Sequence, residues 1–445
     1  MSAIPDGVDA DSGPPMGIPL AHFVVALGFL VAGGLVGLAD LLGLLGGLVT
    51  LAHVHLLIVG WVCLTIMGAM TQFVPVWGGV SLYSDRLAKA QLALAAVGLA
   101  GLAVSMVTGA VVWIHGFGGL VVAGFWLLAY NVGRTLWRAR PLDVTERHFA
   151  LALSFFVLVP VLGFLLAMDL AMPILPVAGV THAELLGAHA TLAVYGAVLT
   201  TVVGALYQLA AMFTQSELHG VDYPLQRFET AAYPVGVLAL ATGRLLSSPW
   251  LARAGAVLVL AALALFAVVL LRRLIETQVD RTPMLTRYAV VAVAVLLWVP
   301  LTAPAWLAHP LSTATLFGPG GAVHLLLVGV VGMVVAGTLY HVVPFVVWVN
   351  RYSDRLGLEP VPMIDDLYDS RVAVVDFVAT VSGTALLAAS ESLSVPPLVR
   401  TAGAVLLVVG FALFAGNLLL VLHRHGGTPI ADRIAGPSSD SPSER

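Results

Sequence analysis

The sequence predicts an all-α integral membrane protein whose twelve transmembrane helices form three four-helix units related by a pseudo-threefold axis. The first observation is composition: 60% of the 445 residues are hydrophobic, 10% are charged, and the mean hydropathy is +1.00. Soluble globular chains have about 45–50% apolar and about 25% charged residues. The second observation is a series of apolar stretches long enough to cross a bilayer, and the third is an internal repeat.

Composition also excludes several classes of protein. Disorder of the whole chain requires low hydrophobicity and high charge, which this chain lacks. Its net charge of -4 and the lack of a basic stripe argue against a nucleic-acid partner. The single cysteine, Cys63, excludes a disulfide framework or a thiolate metal cluster.

Twelve stretches of about 20 apolar residues match a bilayer core roughly 30 Å thick. The expected spans are residues 17–39, 51–77, 87–108, 111–137, 149–171, 183–213, 228–247, 250–271, 287–308, 320–349, 372–391 and 398–422. They make one membrane domain, 17–425, with units at about 17–140, 141–280 and 281–425. The polar ends, 1–16 and 426–445, are expected to be disordered cytoplasmic tails, and 1–16 lacks the features of a signal peptide.

Loop charge predicts the orientation of the chain. With the N-terminus inside, all but three of the twenty Lys and Arg residues fall in cytoplasmic loops or the C-terminal tail. The three on the outer side are Arg244, Arg253 and Arg400. The positive-inside rule therefore predicts a multi-pass protein of the cell membrane with both termini cytoplasmic.

Residues 53–77 and 322–346 repeat one pattern. A histidine is followed at equal distances by two glycines, a proline and the five-residue sequence YSDRL. The matched residues are His55 and His324, Gly60 and Gly329, Gly68 and Gly337, Pro75 and Pro344, then Tyr83–Leu87 and Tyr352–Leu356. The aspartate of YSDRL is expected to cap the following helix, and its arginine fits the positive-inside bias.

A fainter third copy lies at 187–209, where His189 has the glycine spacing of His53. The copies begin at nearly equal intervals, at residues 53, 189 and 322, which gives three units of four helices. Major-facilitator transporters have two halves of six helices. The repeat therefore argues against that fold.

Histidines within the spans are the main functional candidates, because ionisable side chains in a membrane are costly and are usually functional. In the expected topology His53, His55, His189 and His324 all lie in the outer part of the bilayer, one unit apart. Residues two apart on a helix point about 200° apart, so His53 and His55 would ligate different groups. Neutral imidazole is the usual axial ligand of haem iron, and glycines on these helices leave room for a macrocycle. The alternative is that each histidine is a hydrogen-bonded packing residue.

Other histidines are weaker candidates. His115, His182 and His309 lie near the same outer boundary and are possible further metal ligands, with an interfacial or propionate-pairing role as the alternative. His341 occupies the position of Gln72 in the first unit, far from the outer face.

Taken together, the topology and motifs resemble subunit I of haem–copper oxidases and nitric oxide reductases. The segment at His53 and His55, with Gly60, Gly68 and Pro75, looks like that family's helix 10, where the first histidine binds the high-spin haem and the second the low-spin haem. The His189 segment resembles helix 2, which supplies the other low-spin ligand. The His324 segment resembles helix 6, which supplies a copper ligand, so the units are cyclically shifted by one.

The NnrS proteins, haem- and copper-containing membrane proteins linked to nitric oxide stress, resemble the chain in the same order. Their first motif is matched by His53, His55, Gly60, Gly68, Pro75, Trp77 and Gly79, and a later one by His324, Val328, Gly329, Gly332 and Gly337. The chain departs from both families, since it has no adjacent histidine pair and no GHTGR segment, and span 372–391 carries Asp376 but no histidine. These departures remove the adjacent histidines that complete the copper site in the oxidases.

The resemblance implies one or two haems, and copper as a further possibility. A haem between His55 and His189 and a second haem or metal between His53 and His324 would serve electron transfer to, or binding of, nitric oxide or dioxygen. Tyr195 and Tyr207 are candidate proton donors, and the outer arginines are candidate propionate partners. A redox partner or second oxidase-type subunit is expected, and oxidoreductase activity is open. The alternatives are a transporter or channel with a histidine-lined metal or proton path, and a non-catalytic subunit.

Overall fold

The computed structural model describes residues 13–393 and 395–427, and within these ranges the protein is helical and has no β-strand, only isolated bridges. The tails predicted at 1–16 and 426–445 lie almost entirely outside the described residues. The long helices are α1 Gly17–Leu41, α2 Val49–Gly78, α3 Asp85–Thr108, α4 Val111–Arg138, α5 Val144–Ala171, α6 His182–Thr214, α7 Asp222–Leu245, α8 Pro249–Ile275, α9 Pro283–Ala308, α10 Ala322–Arg351, α11 Ser370–Ser392 and α12 Pro397–His425.

Of these helices, 11 in the described ranges are long and apolar enough to cross a membrane. This confirms a polytopic all-α membrane protein. The twelfth long helix, α7, is less apolar because it contains charged residues such as Glu229 and Arg244. That α7 also crosses the bilayer, as expected for 228–247, stays a prediction.

Three helices, α2, α6 and α10, share an unusual feature near the end at which they begin. Each contains a π-helical stretch: Leu56–Cys63 in α2, Leu192–Val198 in α6 and Leu325–Gly332 in α10. His55 and His324 stand directly before their stretches, and His189 stands three residues before its own. We call this end of the three helices the histidine end and the opposite end the far end. π-Helical turns are rare and occur frequently at functional sites.

The neighbours of these helices pack against them through glycines. On the far half, one glycine of each helix meets the side chain of a residue on the preceding helix. The pairs are Gly68 with His22 of α1, Gly204 with His148 of α5, and Gly337 with Arg287 of α9. About two turns toward the histidine end the contact recurs, as Gly60 with Phe29, Gly196 with Phe155 and Gly329 with Ala294. The same helix pair is therefore built three times.

The helices enclose an interior in which α6 is central. The most apolar eighteen residues of α6 are 89% buried, against 28% for α1, and α12 packs against α1.

The cap predicted for YSDRL is wrong: Ser84, not Asp85, is the N-cap of α3, and its Oγ accepts a hydrogen bond from the Leu87 amide. In the second copy Ser353–Arg355 forms a short 3-10 turn instead of starting a long helix.

Candidate functional site

A cavity of about 490 Å³ lies at the histidine end, bounded mainly by α2 to α6. Its walls are almost entirely apolar. Three histidines line it, His55 from α2 and both His182 and His189 from α6. The rings of His55 and His189 are close enough for the charge of one to act on the other. A largely apolar cavity in a membrane protein, with imidazoles from two helices, suits a flat, apolar ligand with a central metal.

Both imidazoles are held by backbone carbonyl oxygens. His55 Nδ1 lies 2.9 Å from the Leu51 carbonyl oxygen of its own helix. His189 Nδ1 lies 3.1 Å from the Val159 carbonyl oxygen of α5. Because a carbonyl only accepts, the proton of each neutral ring is on Nδ1 and donates to that oxygen. Nε2 of each ring is left with its lone pair, and no residue in the described ranges hydrogen bonds to it.

This arrangement is the one that metal-bound histidines adopt. A ligating imidazole almost always donates its other N–H to a carbonyl or carboxylate, which fixes its tautomer and orientation. The close fit of His189 depends on Gly163 of α5, where an added Cβ would stand 2.9 Å from the imidazole Cε1. The glycine therefore makes the room in which the His189 ring lies.

A second histidine pair lies outside this cavity. His53 Nδ1 is 2.8 Å from the Gly33 carbonyl oxygen of α1. His324 Nδ1 is 3.3 Å from Glu391 Oε2 of α11, and the side chains of both residues are partly exposed. His53 and His324 are close enough to interact electrostatically. The four candidate ligands thus come together as two pairs, with His53 and His55 serving different pairs.

Arg244 of α7 is a buried cation that forms no ion pair within the described residues. Its Nε donates to the Pro310 carbonyl oxygen at 3.1 Å and one terminal nitrogen donates to Thr191 Oγ1 at 2.6 Å. The other terminal nitrogen, Nη2, is buried and has no hydrogen-bond partner among the described residues. Thr191 is two residues from His189. A buried guanidinium that meets only neutral oxygens favours an anionic ligand group.

The other two outer arginines differ from Arg244. Arg253 is partly exposed and donates to the Leu307 carbonyl oxygen at 2.8 Å, at the end of α9. Arg400 is exposed and interacts electrostatically with Glu391, beside His324. None of the three arginines lines the cavity.

The three weaker histidine candidates lie in different surroundings. His182 lines the cavity, and its Nδ1 is 2.7 Å from Asp169 Oδ2. His115 does not line it, although its Nδ1 is buried without a partner among the described residues. His309 is exposed where α9 ends. Within residues 13–393 and 395–427 no group of three or more His, Cys, Asp or Glu side chains could hold a metal ion.

The remaining candidates have structural partners. Tyr195 donates to the Leu316 carbonyl oxygen at 2.9 Å, and Tyr207 donates to Glu229 Oε2 at 3.1 Å. His341 packs between aromatic rings, with its ring centroid 4.2 Å from that of Phe213. The sequence analysis missed Glu229 and Glu391. A search for carboxylates inside the expected spans, the rule applied to the histidines, would have found both.

No protein-family model matches the chain, and no curated protein matches it at a significant level.

Proposed function

We propose that the protein binds haem in the membrane, with His55 and His189 as the residues that would hold its iron. The observation that carries the proposal is the pair of imidazoles on one apolar cavity, each with Nδ1 bonded to a carbonyl oxygen and Nε2 unpaired. The volume of about 490 Å³ is within the range of roughly 300–1,000 Å³ for cofactor and ligand pockets. When bound, the haem supplies one-electron chemistry.

The cavity walls fit the rest of the cofactor, as does Arg244, which does not line the cavity but bonds to Thr191, two residues from His189. Apolar walls match the porphyrin faces and exclude water. Arg244 fits a propionate, because its buried guanidinium has an unpaired nitrogen and no carboxylate partner in the described part of the chain. The histidines hold the metal, while the arginine would set the orientation of the ring's charged edge.

The second pair, His53 and His324, is the candidate for a second haem or a metal with an open coordination position. Glu391 beside His324 adds a carboxylate to this pair. An open position is the physical requirement for binding a diatomic gas, which the first pair does not offer when both its imidazoles are ligands. We therefore assign gas binding or reduction to the second pair and electron transfer to the first.

Three recurrences support membership of the haem–copper oxidase superfamily, close to the NnrS proteins. The π-helical stretches and the glycine contacts recur on α2, α6 and α10 at matching positions, and a histidine lies one to three residues before each π-helical stretch. This is the pattern expected of twelve spans in three units. The apolar cavity walls argue against a transport path for ions, since a buried ion requires polar ligands.

The test is a reduced-minus-oxidised absorption spectrum of the purified protein, with and without carbon monoxide. We expect a low-spin haem signal that disappears in His55→Ala and in His189→Ala. The response to carbon monoxide should disappear in His53→Ala. His309→Ala, an exposed histidine away from the cavity, is the control and should keep both signals.

Two results would overturn the proposal. Wild-type spectra in both His55→Ala and His189→Ala would show that the ligands are elsewhere. A folded, purified protein without iron and without a haem spectrum after reconstitution would leave the transporter or the non-catalytic subunit. Ion flux in vesicles would then separate those two functions.

A further inference from the structure

The far half of the molecule contains three buried polar contacts at equivalent places. Each involves the residue that packs on Gly68 of α2, Gly204 of α6 or Gly337 of α10. This residue contacts a side chain on the helix that follows α2, α6 or α10 in the chain. The pairs are His22 with Gln91, His148 with Glu229, and Arg287 with Asp376. All six side chains are buried. The position is the same three times, but its chemistry differs each time.

Two of the pairs, His22 with Gln91 and Arg287 with Asp376, do not exchange a proton between their members. Gln91 is a neutral amide whose nitrogen lies 3.4 Å from His22 Nε2, so it cannot take up a proton as a carboxylate can. Asp376 forms a hydrogen-bonded ion pair with Arg287, and a guanidinium is not deprotonated in proteins. Tyr340 also donates to Asp376. Neither pair can pass a proton from one member to the other.

The middle pair is different, because both of its members titrate. His148 Nε2 lies 3.4 Å from Glu229 Oε1, and Tyr207 donates to Glu229 Oε2 at 3.1 Å. His148 Nδ1 lies 2.7 Å from the Val144 carbonyl oxygen, so it carries a proton and exchange takes place at Nε2. Burial favours zero net charge on the pair. One proton is then shared: either Glu229 is a neutral acid beside a neutral imidazole, or it is a carboxylate beside an imidazolium.

The groups around the pair leave it without a fixed counter-charge in direct contact. Glu229 is fully buried and faces His148 from α5, Tyr207 from α6, and Tyr233 one turn further along α7. Asp143, before α5, acts on His148 only electrostatically. From α8 the ring of Phe266 packs on Tyr207. No arginine or lysine in the described ranges forms an ion pair with Glu229.

A route to the helix end starts at Tyr207. A small cavity of about 10 Å³, close to the volume that one water molecule needs, is lined by Tyr207 and Arg273. Nε of Arg273 is buried and unpartnered within the described ranges, and one terminal nitrogen, Nη2, donates both to Asp222 Oδ2 at 2.8 Å and to Glu276 Oε2 at 2.7 Å. Glu276 in turn contacts the exposed His219. This cluster of titratable groups connects the buried pair to the surface.

We propose that Glu229 and His148 form a proton-exchange site inside the membrane domain, supplied through Tyr207 from the end that carries Arg273. In the exchange step the carboxyl O–H of Glu229 breaks and an N–H bond forms at His148 Nε2, with no electron transferred. The reverse step restores the acid, so the pair keeps one proton and no net charge. Exchange with solvent takes place at Glu229 through Tyr207: the Tyr207 hydroxyl takes a proton from the carboxyl group as it gives its own to water on the Arg273 side, and the same steps in reverse bring a proton in. The proposal does not depend on haem.

The test is infrared spectroscopy of the full chain in lipid nanodiscs, in water and in D₂O. In His148→Gln the carboxyl group must hold the shared proton alone. We therefore expect a protonated-carboxyl band that is absent from the double variant His148→Gln, Glu229→Gln. The band should shift in D₂O, because the site exchanges with solvent. Asp376→Asn, which changes the carboxyl group of the third unit, should leave this band unchanged when added to His148→Gln.

The route is tested separately with Ala210→Leu, which fills the small cavity beside Tyr207. Deuterium exchange at the band should slow at least several-fold in the His148→Gln background. If His148→Gln does not fold, Tyr207→Phe replaces it, and removal of the phenol hydroxyl should slow deuterium exchange at whichever band, carboxyl or imidazolium, carries the shared proton. A His148→Gln protein with no band assignable to Glu229, or a band that does not shift in D₂O, would overturn the proposal.

Discussion

The two ends of α6 place imidazoles in opposite situations. At the histidine end, Nδ1 of His189 is bonded to a carbonyl oxygen and Nε2 faces an apolar cavity. At the far end, His148 meets α6 at Gly204, and its Nδ1 is also bonded to a carbonyl oxygen, but its Nε2 meets a carboxyl group. Both imidazoles thus have Nδ1 in a hydrogen bond to the backbone. Nε2 is free for an external ligand at the histidine end and contacts a carboxyl group of the protein at the far end. The space beside Nε2, more than the residue type, separates a ligand site from an internal polar contact.

The largest effect, on haem binding, is expected from filling the space that the His189 ring occupies at the histidine end. Gly163→Leu would put side-chain atoms into the volume of the His189 ring, because a Cβ alone would already be 2.9 Å from Cε1. We expect at least a tenfold loss of haem bound per protein, measured by absorbance after reconstitution, although no ligand is changed. Gly118→Ala is the control, since its added methyl group would meet Phe164 at an ordinary 3.9 Å. Wild-type haem content in Gly163→Leu would contradict the site.

The next effect concerns the charge of the far-end contacts. Asp376→Asn leaves the Arg287 guanidinium buried without its carboxylate, and loss of one partner of a buried ion pair costs about 3–5 kcal/mol. Gln91→Leu in the first unit breaks a contact between neutral groups and should cost about 1–3 kcal/mol. The free energy of unfolding in mixed detergent micelles measures both. An equal or smaller loss in Asp376→Asn would show that the ion pair is not formed.

These comparisons also show which features a sequence reveals. The helices are predictable because a bilayer requires long apolar stretches, and the recurring glycines are visible as spacing. The partners of His55 and His189 are not, since their acceptors are the carbonyl oxygens of Leu51 and Val159, which any residue type provides. Spacing predicted that His53 and His55 point apart, but only the fold shows that the His55 side has a cavity.

Residues at helix ends were the least predictable. The YSDRL aspartate was expected to cap a helix, but Ser84 takes that place because its short hydroxyl reaches the Leu87 amide. Glu229 was overlooked although it lies in an expected span. Its partner His148 is distant in sequence and lies on α5. The two side chains meet only because His148 packs against Gly204 of α6.

A smaller effect is expected from the helix crossings that build the two ends. A Cβ at Gly204 would stand 2.4 Å from His148 Cβ, whereas at Gly329 the nearest atom, Ala294 Cβ, would be 3.2 Å away. Gly204→Ala should therefore destabilise the protein by about 1–3 kcal/mol, and Gly329→Ala by less. Thermal unfolding of both variants in the same detergent gives the order. The reverse order would mean that the α5–α6 crossing is looser than the contact distances show.

The smallest effect concerns the surface cluster at the far end, where Glu276 lies just beyond α8. The hydrogen bond from His219 and the nearby Arg273 lower the pKa of Glu276, against the opposing effect of burial. A lowered pKa in the folded state means that the stabilisation is present above the ordinary glutamate pKa and is lost as pH falls through the folded value. The melting temperature of the wild type should therefore fall on acidification more steeply than that of Glu276→Gln, because the amide does not titrate. Parallel curves for the two proteins would show that Glu276 makes no such contact, and the route from the surface to Tyr207 would then begin at Asp222 and Arg273 alone.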